Sequence, residues 1–421
     1  MYDLLIEDAT IVRSGGRRVV DIAIEDGRIA YIGDTPAGRA RETVSAIGRF
    51  VMPGAIDANV RLSGAEDLAS LGRAAAAAGV TSLLLRGFGS RDEIAAVHDA
   101  AAAQSVVGLG CWIEGAPTRR SAAEAACEEG LACGIALDMA AHPAGEIAPF
   151  FSEGAALLGV QAEDHSTIAA QTAAMAAEAA PAHNDVRPPE AACRAIEQVV
   201  SWVRASGRAT HLFGVSTSAE LGMLDLVRGE LPITCEVSLN HLFLSTETVR
   251  SLQAASKTNP PIRSELDRRA LWSIIKRGRL DTFSSAHTPW SRAEKERPYW
   301  EQPAGLPGLD SLMRLLLSAV SSGRVGVEQL AEMCAEAPAR ICGLPNKGRI
   351  EVGADADLVL FREGATARFA ASDIHSAAGW SPFVGRELAG PPMLVVVGGN
   401  IVAQDGRLRD ALPTVSPLSF G

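Results

Sequence analysis

The sequence predicts an α/β protein in which a TIM-like (β/α)8 barrel carries a small β-sandwich domain built from both chain ends. Two observations support this fold. Apolar strand patterns alternate with helical patterns for nearly 300 residues, which is typical of parallel strands joined by helices. Both ends of the chain instead contain only short strand patterns. We therefore assign residues 1–52 and 345–421 to the β domain and residues 53–344 to the barrel.

The first 50 residues predict strands because the segments "DLLIEDATIV" and "VVDIAIEDGRIAYIG" alternate in polarity or run apolar, with a hairpin turn at Asp26-Gly27. Near the other end, "GRIEVGADADLVLF" and "PMLVVVGGNIVAQDG" again predict strands. Chain termini often lie close together in folded domains. We therefore expect these strands to complete the sheet that begins at the N-terminus.

After Pro53 the pattern changes to alternating strands and helices. A helix is predicted over "DLASLGRAAAAAG", a buried strand over "VTSLLLRG", a helix over "RDEIAAVHDAAAAQ" and a strand over "VVGLGCWIEG". Further strand ends are predicted in "GVQAED", "ATHLFGVST", "PITCEVSLN" and "DTFSSAH". The carboxyl ends of barrel strands hold the active sites of such folds, so functional residues are expected there.

Composition excludes several classes of function. The net charge of −11 argues against nucleic acid or an anionic membrane as the main partner. No run of about 18 apolar residues indicates a membrane span, and the chain opens in a strand pattern without a signal peptide, so a cytoplasmic location is expected. The seven cysteines include no CxxC pair, which favours reduced thiols over disulfides or a zinc cluster.

The first barrel strand carries an unusual set of polar residues. Asp57, Asn59 and Arg61 occupy alternate positions, so their side chains lie on one face of the strand. Many barrel enzymes place two histidines on such a strand end to bind a metal. An asparagine and an arginine there need a different explanation.

The chain resembles the cyclic amidohydrolases, and the dihydroorotase branch most closely. The resemblance covers almost the whole sequence through motifs in the same order, namely "VMPGAIDANV", "AAAAAGVTSLLL", "RPPEAACRAI", "HLFGVST", "KTNPPIR", "FSSAHTPWSRAEKE" and "GRIEVGADADLVLF". The resemblance implies a metal-dependent hydrolase fold that opens cyclic amides with a metal-bound hydroxide.

The family's functional residues are missing at the matching positions. Where the family has two metal-binding histidines on the first strand, this chain has Asn59 and Arg61. Where the family has an arginine that binds the substrate carboxylate, this chain has Ser63. The bridging lysine or aspartate corresponds to Ala136, with Asp138 as an alternative. The two later histidines and the proton-shuttling aspartate correspond to Gln161, Gly214 and Ala286. The resemblance therefore implies no metal ligand, no catalytic residue and no cofactor.

Arg61 has two open interpretations. It could pair with a carboxylate such as Asp57 or Glu163 and so place a fixed positive charge at the vacated metal position, or it could point to the surface. A guanidinium cannot deprotonate to bind a metal.

The candidates for substrate binding are Lys257, Asn259, Arg263 and His287. The Asn-Pro-Pro motif among them also fits a rigid barrel loop with no ligand. His211, His241 and His287 lie near strand ends and could form an alternative zinc site, although ordinary hydrogen-bonded histidines are favoured. The five other histidines are expected at the surface: His98, His142, His165, His183 and His375.

Three functions fit these observations. The first is a non-catalytic dihydroorotase homologue of pyrimidine biosynthesis, resembling the inactive chains that associate with bacterial aspartate carbamoyltransferase; it would bind that enzyme, its own copies, or both. The second is an active cyclic amidohydrolase with an atypical site. The third is a small-molecule sensor that binds its ligand in the former substrate pocket of the barrel. We favour the first function, and with it the absence of enzymatic activity.

Aromatic segments are the predicted contact with a partner. They are "PWSRAEKERPYWEQP" and "GWSPFVGREL", with Trp290, Tyr299, Trp300, Trp380 and Phe383. The alternative is that these aromatic side chains cover the barrel mouth or pack between the domains.

Overall fold

The N-terminal segment forms five strands of a mainly antiparallel sheet. The structure is a computed structural model that describes residues 1–249, 252 and 255–421. The strands are β1 (Tyr2–Arg13), β2 (Gly16–Glu25), β3 (Arg28–Gly33), β4 (Ala40–Ser45) and β5 (Phe50–Pro53). The expected hairpin between β2 and β3 turns at Asp26 and Gly27, which both have positive φ, 51° and 75°. Such a pair matches the twist of the flanking strands.

Eight parallel strands follow and pair in sequence order. They are β6 (Ala55–Arg61), β7 (Val80–Phe88), β8 (Gly108–Glu114), β9 (Ile135–Asp138), β10 (Leu158–Gln161), β11 (Thr210–Phe213), β12 (Ile233–Ser238) and β13 (Thr282–Ser284). The last strand returns to the first: the Ser285 N–H donates to the Asp57 carboxylate at 3.2 and 3.3 Å, and the Arg61 N–H donates to the His287 carbonyl at 2.9 Å. The sheet is thus a nearly closed barrel.

Helices connect the barrel strands. They are α1 (Leu68–Ala78), α2 (Arg91–Gln104), α3 (Arg120–Glu128), α4 (Ala144–Ser152), α5 (His165–Met175), α6 (His183–Val186), α7 (Pro189–Ser206), α8 (Ser218–Val227), α9 (Leu239–Phe243), α10 (Glu265–Lys276), α11 (Arg292–Lys295), α12 (Leu312–Ser321), α13 (Val327–Ala331) and α14 (Ala337–Ile341). A π-helical segment, Glu332–Glu336, joins the last two. None of the helices in the described part of the chain is long and apolar enough to cross a membrane.

Local signals explain where these helices begin and end. Asp67 caps α1 in a capping box with Ser70, and Gly79 ends that helix with a φ of 81°. Thr217 and Glu220 form the same box at the start of α8. Such boxes satisfy backbone N–H groups that the first helical turn leaves without partners. The predicted end of the first helix at Gly79 matches the structure.

The C-terminal strands rejoin the N-terminal sheet. They are β14 (Leu358–Phe361), β15 (Thr366–Arg368), β16 (Glu387–Ala389), β17 (Leu394–Val397), β18 (Asn400–Gln404) and β19 (Arg407–Leu408). β14 lies between β5 and β17 and pairs antiparallel with both, which completes a nine-stranded sheet from both chain ends. The predicted fold class, a barrel with a β domain from both ends, is confirmed.

The last ten residues run along the amino-terminal end of the barrel. The Val415 and Leu418 N–H groups donate to the carbonyls of Ser105 and Leu109 at 3.0 and 2.8 Å. Leu418 is buried and belongs to the hydrophobic cluster inside the barrel. A Cβ at Gly108 would lie 2.6 Å from the Leu418 side chain, so this close approach requires glycine.

Candidate functional site

The first strand directs Asp57 into the barrel interior. Its carboxylate is fully buried and accepts hydrogen bonds from the backbone N–H groups of Ser285 and Asn59 at 3.2–3.3 Å. Burial raises the pKa of Asp57, hydrogen bonds from Ser285 lower it and the nearby charge of Glu236 raises it, so that the pKa is about 7. Asp57 is therefore partly protonated at neutral pH.

Glu236, at the end of β12, binds the Asn59 side chain. Its Oε1 accepts from the Asn59 Nδ2 at 2.7 Å, from the Ser284 hydroxyl at 2.8 Å and from the Gly214 N–H at 3.3 Å. Its Oε2 lies 3.7 Å from the His211 Nε2. Neither of these two buried atoms has a hydrogen-bond partner within the described residues. One oxygen of Glu236 is thus saturated by the protein, and the other faces a single imidazole.

Two arginines share one carboxylate at the ends of β6, β7 and β8. Arg61 lies 3.5 Å and Arg86 lies 3.6 Å from the Glu114 Oε1. Arg86 is 2% exposed, and its guanidinium stacks 4.3 Å from the centre of the Phe213 ring. Burial and the charge of Arg61 lower the pKa of Arg86 to about 10, although the charge of Glu114 opposes them. The barrel mouth therefore contains two guanidinium groups.

The predicted partner of Arg61 was wrong. Asp57 accepts backbone N–H groups instead, and Glu163 forms a bidentate pair with Arg187, with N–O distances of 3.1 and 2.5 Å. Arg61 forms its ion pair with Glu114 instead, because β6, β7 and β8 are adjacent and their carboxyl ends bring these side chains together. The proposal of a fixed positive charge at this strand end agrees with the ion pair that Arg61 forms.

The residues at the barrel mouth do not fit a catalytic metal. Asn59 uses its amide to bind Glu236, and the guanidinium groups of Arg61 and Arg86 repel a divalent cation. His211 and Glu236 offer one free nitrogen and one free oxygen, which is fewer than the three protein ligands of catalytic zinc. Across the described residues, no group of three or more His, Cys, Asp or Glu side chains is placed to bind a metal ion.

The structure places Asp138 and the other substituted positions around the same mouth. Asp138 ends β9, is half-buried, and accepts the Ala140 N–H at 2.9 Å. Gln161 ends β10, and Gly214 follows β11 with a φ of 62°. Ala286 follows β13 and has a φ of 47°, in the left-handed region that alanine rarely adopts.

Three of the four predicted substrate-binding residues lie in one loop after β12. The Lys257 ammonium donates to the carbonyls of Tyr299 and Gln302 at 2.7 and 2.9 Å. The Asn259 Oδ1 faces the His183 Nε2 at 3.0 Å. Arg263 is buried and donates to the Asn184 side chain at 2.8 Å. Each of the three is thus held by protein groups.

His287, the fourth predicted residue, lies apart from that loop. It is completely buried, its Nδ1 accepts the backbone N–H groups of Gly308 and Leu309 at 3.2 Å, and its Nε2 lies 3.8 Å from Glu66. His241 uses its Nε2 to donate to the Pro261 carbonyl at 3.1 Å. His211, His241 and His287 therefore have separate partners, and the structure does not bring them together as a zinc site.

The expectation that His183 lies at the surface was wrong. Its Nε2 lies 3.1 Å from the Thr258 carbonyl, which can only accept, so Nε2 carries the proton and Nδ1 accepts from the Tyr299 hydroxyl at 2.7 Å. Burial lowers the pKa of His183 to about 3, so the imidazole is neutral. His183, the first residue of α6, is half-buried because the segments after β10, β12 and β13 meet above the barrel.

The aromatic segments are mostly inside the protein. Phe383 is completely buried and Tyr299 is 8% exposed, so neither can form the predicted contact with a partner. The Trp380 indole donates to the Trp290 carbonyl at 2.9 Å, which ties the two segments together. Trp300 is 41% exposed, and its indole donates to the Glu178 carbonyl. The alternative interpretation, packing within the protein, is correct for Tyr299 and Phe383.

Sequence reasoning missed Arg86, Glu114 and Glu236. Arg86 ends the apolar run "VTSLLLRG", and Glu114 ends "VVGLGCWIEG", so each is a charged residue at the carboxyl end of a buried strand. That position is itself a signal for the barrel mouth. The clustering of the three side chains depends on strand order, which only the closed barrel defines.

Comparisons with known proteins agree with this architecture. The model of the amidohydrolase family matches residues 50–402. A dihydroorotase of Halobacterium salinarum is 31% identical over 96% of this chain and 99% of its own, and an allantoinase of Rubrobacter xylanophilus is 30% identical over 97% and 95%. The solved structure of an L-hydantoinase (dihydropyrimidinase) from Arthrobacter aurescens superposes with a TM-score of 0.93 and 25% identity, covering both chains completely.

Proposed function

The chain belongs to the amidohydrolase family, and we propose that it is a non-catalytic, dihydroorotase-like member of that family. Its role is structural: it supports the assembly of aspartate carbamoyltransferase in pyrimidine biosynthesis. A cytoplasmic location is part of the same proposal. The relatives named as dihydroorotase, allantoinase and hydantoinase support the fold and the ancestry, whereas the loss of activity is inferred from the side chains of this chain.

One observation carries the proposal: Arg86 places a buried guanidinium at the barrel mouth, beside the guanidinium of Arg61. Amide hydrolysis needs a water molecule that loses its proton near pH 7. A catalytic metal supplies one by lowering the pKa of bound water from 15.7 to about 7. The guanidiniums and the engaged Asn59 amide leave too few ligands for such an ion.

The carboxylates Asp57, Glu236 and Glu114 are poorly placed to supply a metal-free substitute for that chemistry. The Asp57 carboxylate is completely buried inside the barrel, and one oxygen of Glu236 accepts three hydrogen bonds. Glu114, the more exposed carboxylate, is held by two arginines. At Ala286 the chain has no proton acceptor. A general base must reach the attacking water to take its proton, but Asp57 and Glu114 are engaged by protein groups, and the remaining oxygen of Glu236 is buried against His211.

The first test measures hydrolysis and metal content together. The purified protein is assayed with dihydroorotate, hydantoin and allantoin, with and without added zinc, beside the L-hydantoinase of Paenarthrobacter aurescens as an active control. We expect no turnover above the uncatalysed rate and far less than one zinc per chain after mild chelation. Metal-dependent turnover or a chelation-resistant stoichiometric zinc would overturn the proposal.

A gain-of-function variant sharpens this test. Asn59→His with Arg61→His restores both first-strand histidines of the resemblance but leaves Arg86, Gln161 and Ala286 unchanged. We expect the double variant to remain inactive, because the guanidinium of Arg86 and the missing proton acceptor persist. Activity in the double variant would show that the first strand alone controls the chemistry.

Contact with a partner needs an exposed apolar surface, since stable interfaces bury about 1,200–2,000 Å² around apolar anchors. Leu226 on α8 and Leu266 on α10 are 80% and 79% exposed on neighbouring helices outside the barrel. These two leucines, one in the last turn of α8 and the other in the first turn of α10, replace the buried aromatics as the proposed contact. The same surface could mediate self-association.

The partner is tested by co-expression with the aspartate carbamoyltransferase of the same organism, followed by size-exclusion chromatography with light scattering. We expect a complex that the Leu226→Ser/Leu266→Ser variant weakens. Val352→Ser, at an exposed position of the β domain, is the matched control and should leave the complex intact. Separate elution of an active transcarbamoylase would reject the partnership, and unaltered assembly of the double variant would reject this surface.

A further inference from the structure

A cavity of about 520 Å³ lies between the loops that follow β10, β12 and β13, outside the cluster of Asp57, Arg86 and Glu236. Its size is within the range of small-molecule sites. Alanine, proline, valine and isoleucine form most of its wall. The lining side chains that carry the argument are Ala182, His183, Val249, Lys257, Arg297 and Tyr299.

The polar groups at this cavity are fixed in position. Tyr299 donates its hydroxyl hydrogen to His183, which in turn donates to the Thr258 carbonyl. The Tyr299 ring lies 4.3 Å from the Lys257 ammonium, which also donates to the Tyr299 carbonyl at 2.7 Å. Neutral acceptors and a ring hold the lysine, so its position is set before any ligand arrives. Such preorganisation reduces the free-energy cost of binding.

The described residues that line this cavity include two cations, Lys257 and Arg297, and no carboxylate, although Glu294 outside the lining interacts with Arg297. The Lys257 ammonium uses two of its three N–H groups on carbonyls, and neither Lys257 nor Arg297 has a carboxylate within 4 Å in the described part of the chain. Burial lowers the pKa of the Lys257 ammonium, and the positive charge of Arg187, which is itself paired with Glu163, lowers it as well. An anionic group would find both a free N–H donor and a favourable potential there.

We infer that this cavity binds a small organic carboxylate with an apolar body, whose carboxylate group pairs with Lys257 at one side. The alanine, proline and valine walls contact the apolar body, and Arg297 at the rim adds attraction for the negative charge. The site is independent of the proposed loss of hydrolysis, because it uses none of the groups at the barrel centre. It would give the chain a ligand-binding function alongside its structural role.

The test compares two probes that differ only in charge. Binding of 3-phenylpropanoate and of its uncharged amide, 3-phenylpropanamide, is measured by isothermal titration calorimetry on the full chain at low salt. We expect the acid to bind with a Kd below about 1 mM and the amide about tenfold more weakly, as a charge-assisted hydrogen bond predicts. Equal affinities, or no binding of the acid, would overturn the inference.

Three variants locate the binding. Lys257→Met keeps the apolar stem and should reduce the affinity for the acid to that for the amide. Ala182→Phe fills the cavity from an exposed loop position and should abolish binding of both probes, which keeps the test decisive if the lysine variant does not fold. Lys276→Met, at an exposed position of α10, is the control and should bind like the unmodified chain. Unchanged binding in Ala182→Phe would overturn the site.

Discussion

Asp57→Asn should make the protein more stable at alkaline pH than the unmodified chain. Asp57 is completely buried, and its pKa of about 7 compares with an ordinary value of 3.8. The folded state therefore binds a proton that the unfolded state releases between these two values. Stability contributed by that proton is complete below about pH 4 and declines as the pH rises through 7.

The size of this effect follows from the same two values. Each pH unit between 3.8 and about 7 corresponds to about 1.4 kcal/mol, which sets a ceiling of about 4 kcal/mol between pH 4 and pH 8. Asparagine keeps an oxygen that can accept the Ser285 N–H but carries no charge, so the variant does not lose this stability. The gain of the variant over the unmodified chain should therefore grow from pH 5 to about pH 7 and level off above it.

The assay is urea denaturation of both proteins at pH 5, 6, 7 and 8, followed by fluorescence and circular dichroism. Asp410→Asn, at an exposed position near the C-terminus, controls for a change of net charge. We expect the denaturation midpoints of Asp57→Asn and the unmodified chain to diverge as the pH rises. Parallel midpoints across the range would refute the argument that a buried, uncompensated carboxylate lies at the barrel centre.

Three further substitutions test the packing and charge of the same barrel. Arg86→Met should raise the free energy of unfolding by about 1–3 kcal/mol, because an apolar side chain replaces a buried charge. The Nε and Nη2 atoms of Arg86 have no hydrogen-bond partner in the described residues. A lower thermal midpoint of the variant would contradict this prediction. Leu418→Ala should cost about 2–3 kcal/mol, whereas Leu226→Ala at the exposed helix should change the midpoint little. Tyr299→Phe should cost about 1–2 kcal/mol by leaving the His183 Nδ1 without a donor, as measured by urea denaturation.

The fold could be predicted because its signals are local and repeated. Strand and helix patterns alternate through the barrel, and single residues such as Gly79 mark the element ends. The path of the last residues is different. Leu418 enters the barrel interior because Gly108 leaves space for it on a strand more than 300 positions earlier in the chain. No local pattern connects two such distant positions.

The site could be predicted only in part, because alternation along a strand gives the direction of a side chain but not its neighbours. The face with Asp57, Asn59 and Arg61 follows from the sequence, whereas the pairing of Arg61 with Glu114 depends on the order of three strands. His183 shows the same limit. Its short polar segment predicts exposure, and its partial burial results from three chain segments that meet only in the folded barrel.

Charge compensation explains how the barrel centre accommodates its buried carboxylates. Two buried carboxylates lie at its centre, and an uncompensated buried charge costs several kcal/mol. Asp57 avoids this cost by taking up a proton, and Glu236 avoids it by accepting hydrogen bonds at one oxygen, including one from Asn59. A histidine at position 59 would remove that amide donor and stand near the guanidinium of Arg86. A metal site at this mouth would therefore require replacing the arginines and the asparagine together, because the guanidinium groups repel a cation and the Asn59 amide binds Glu236.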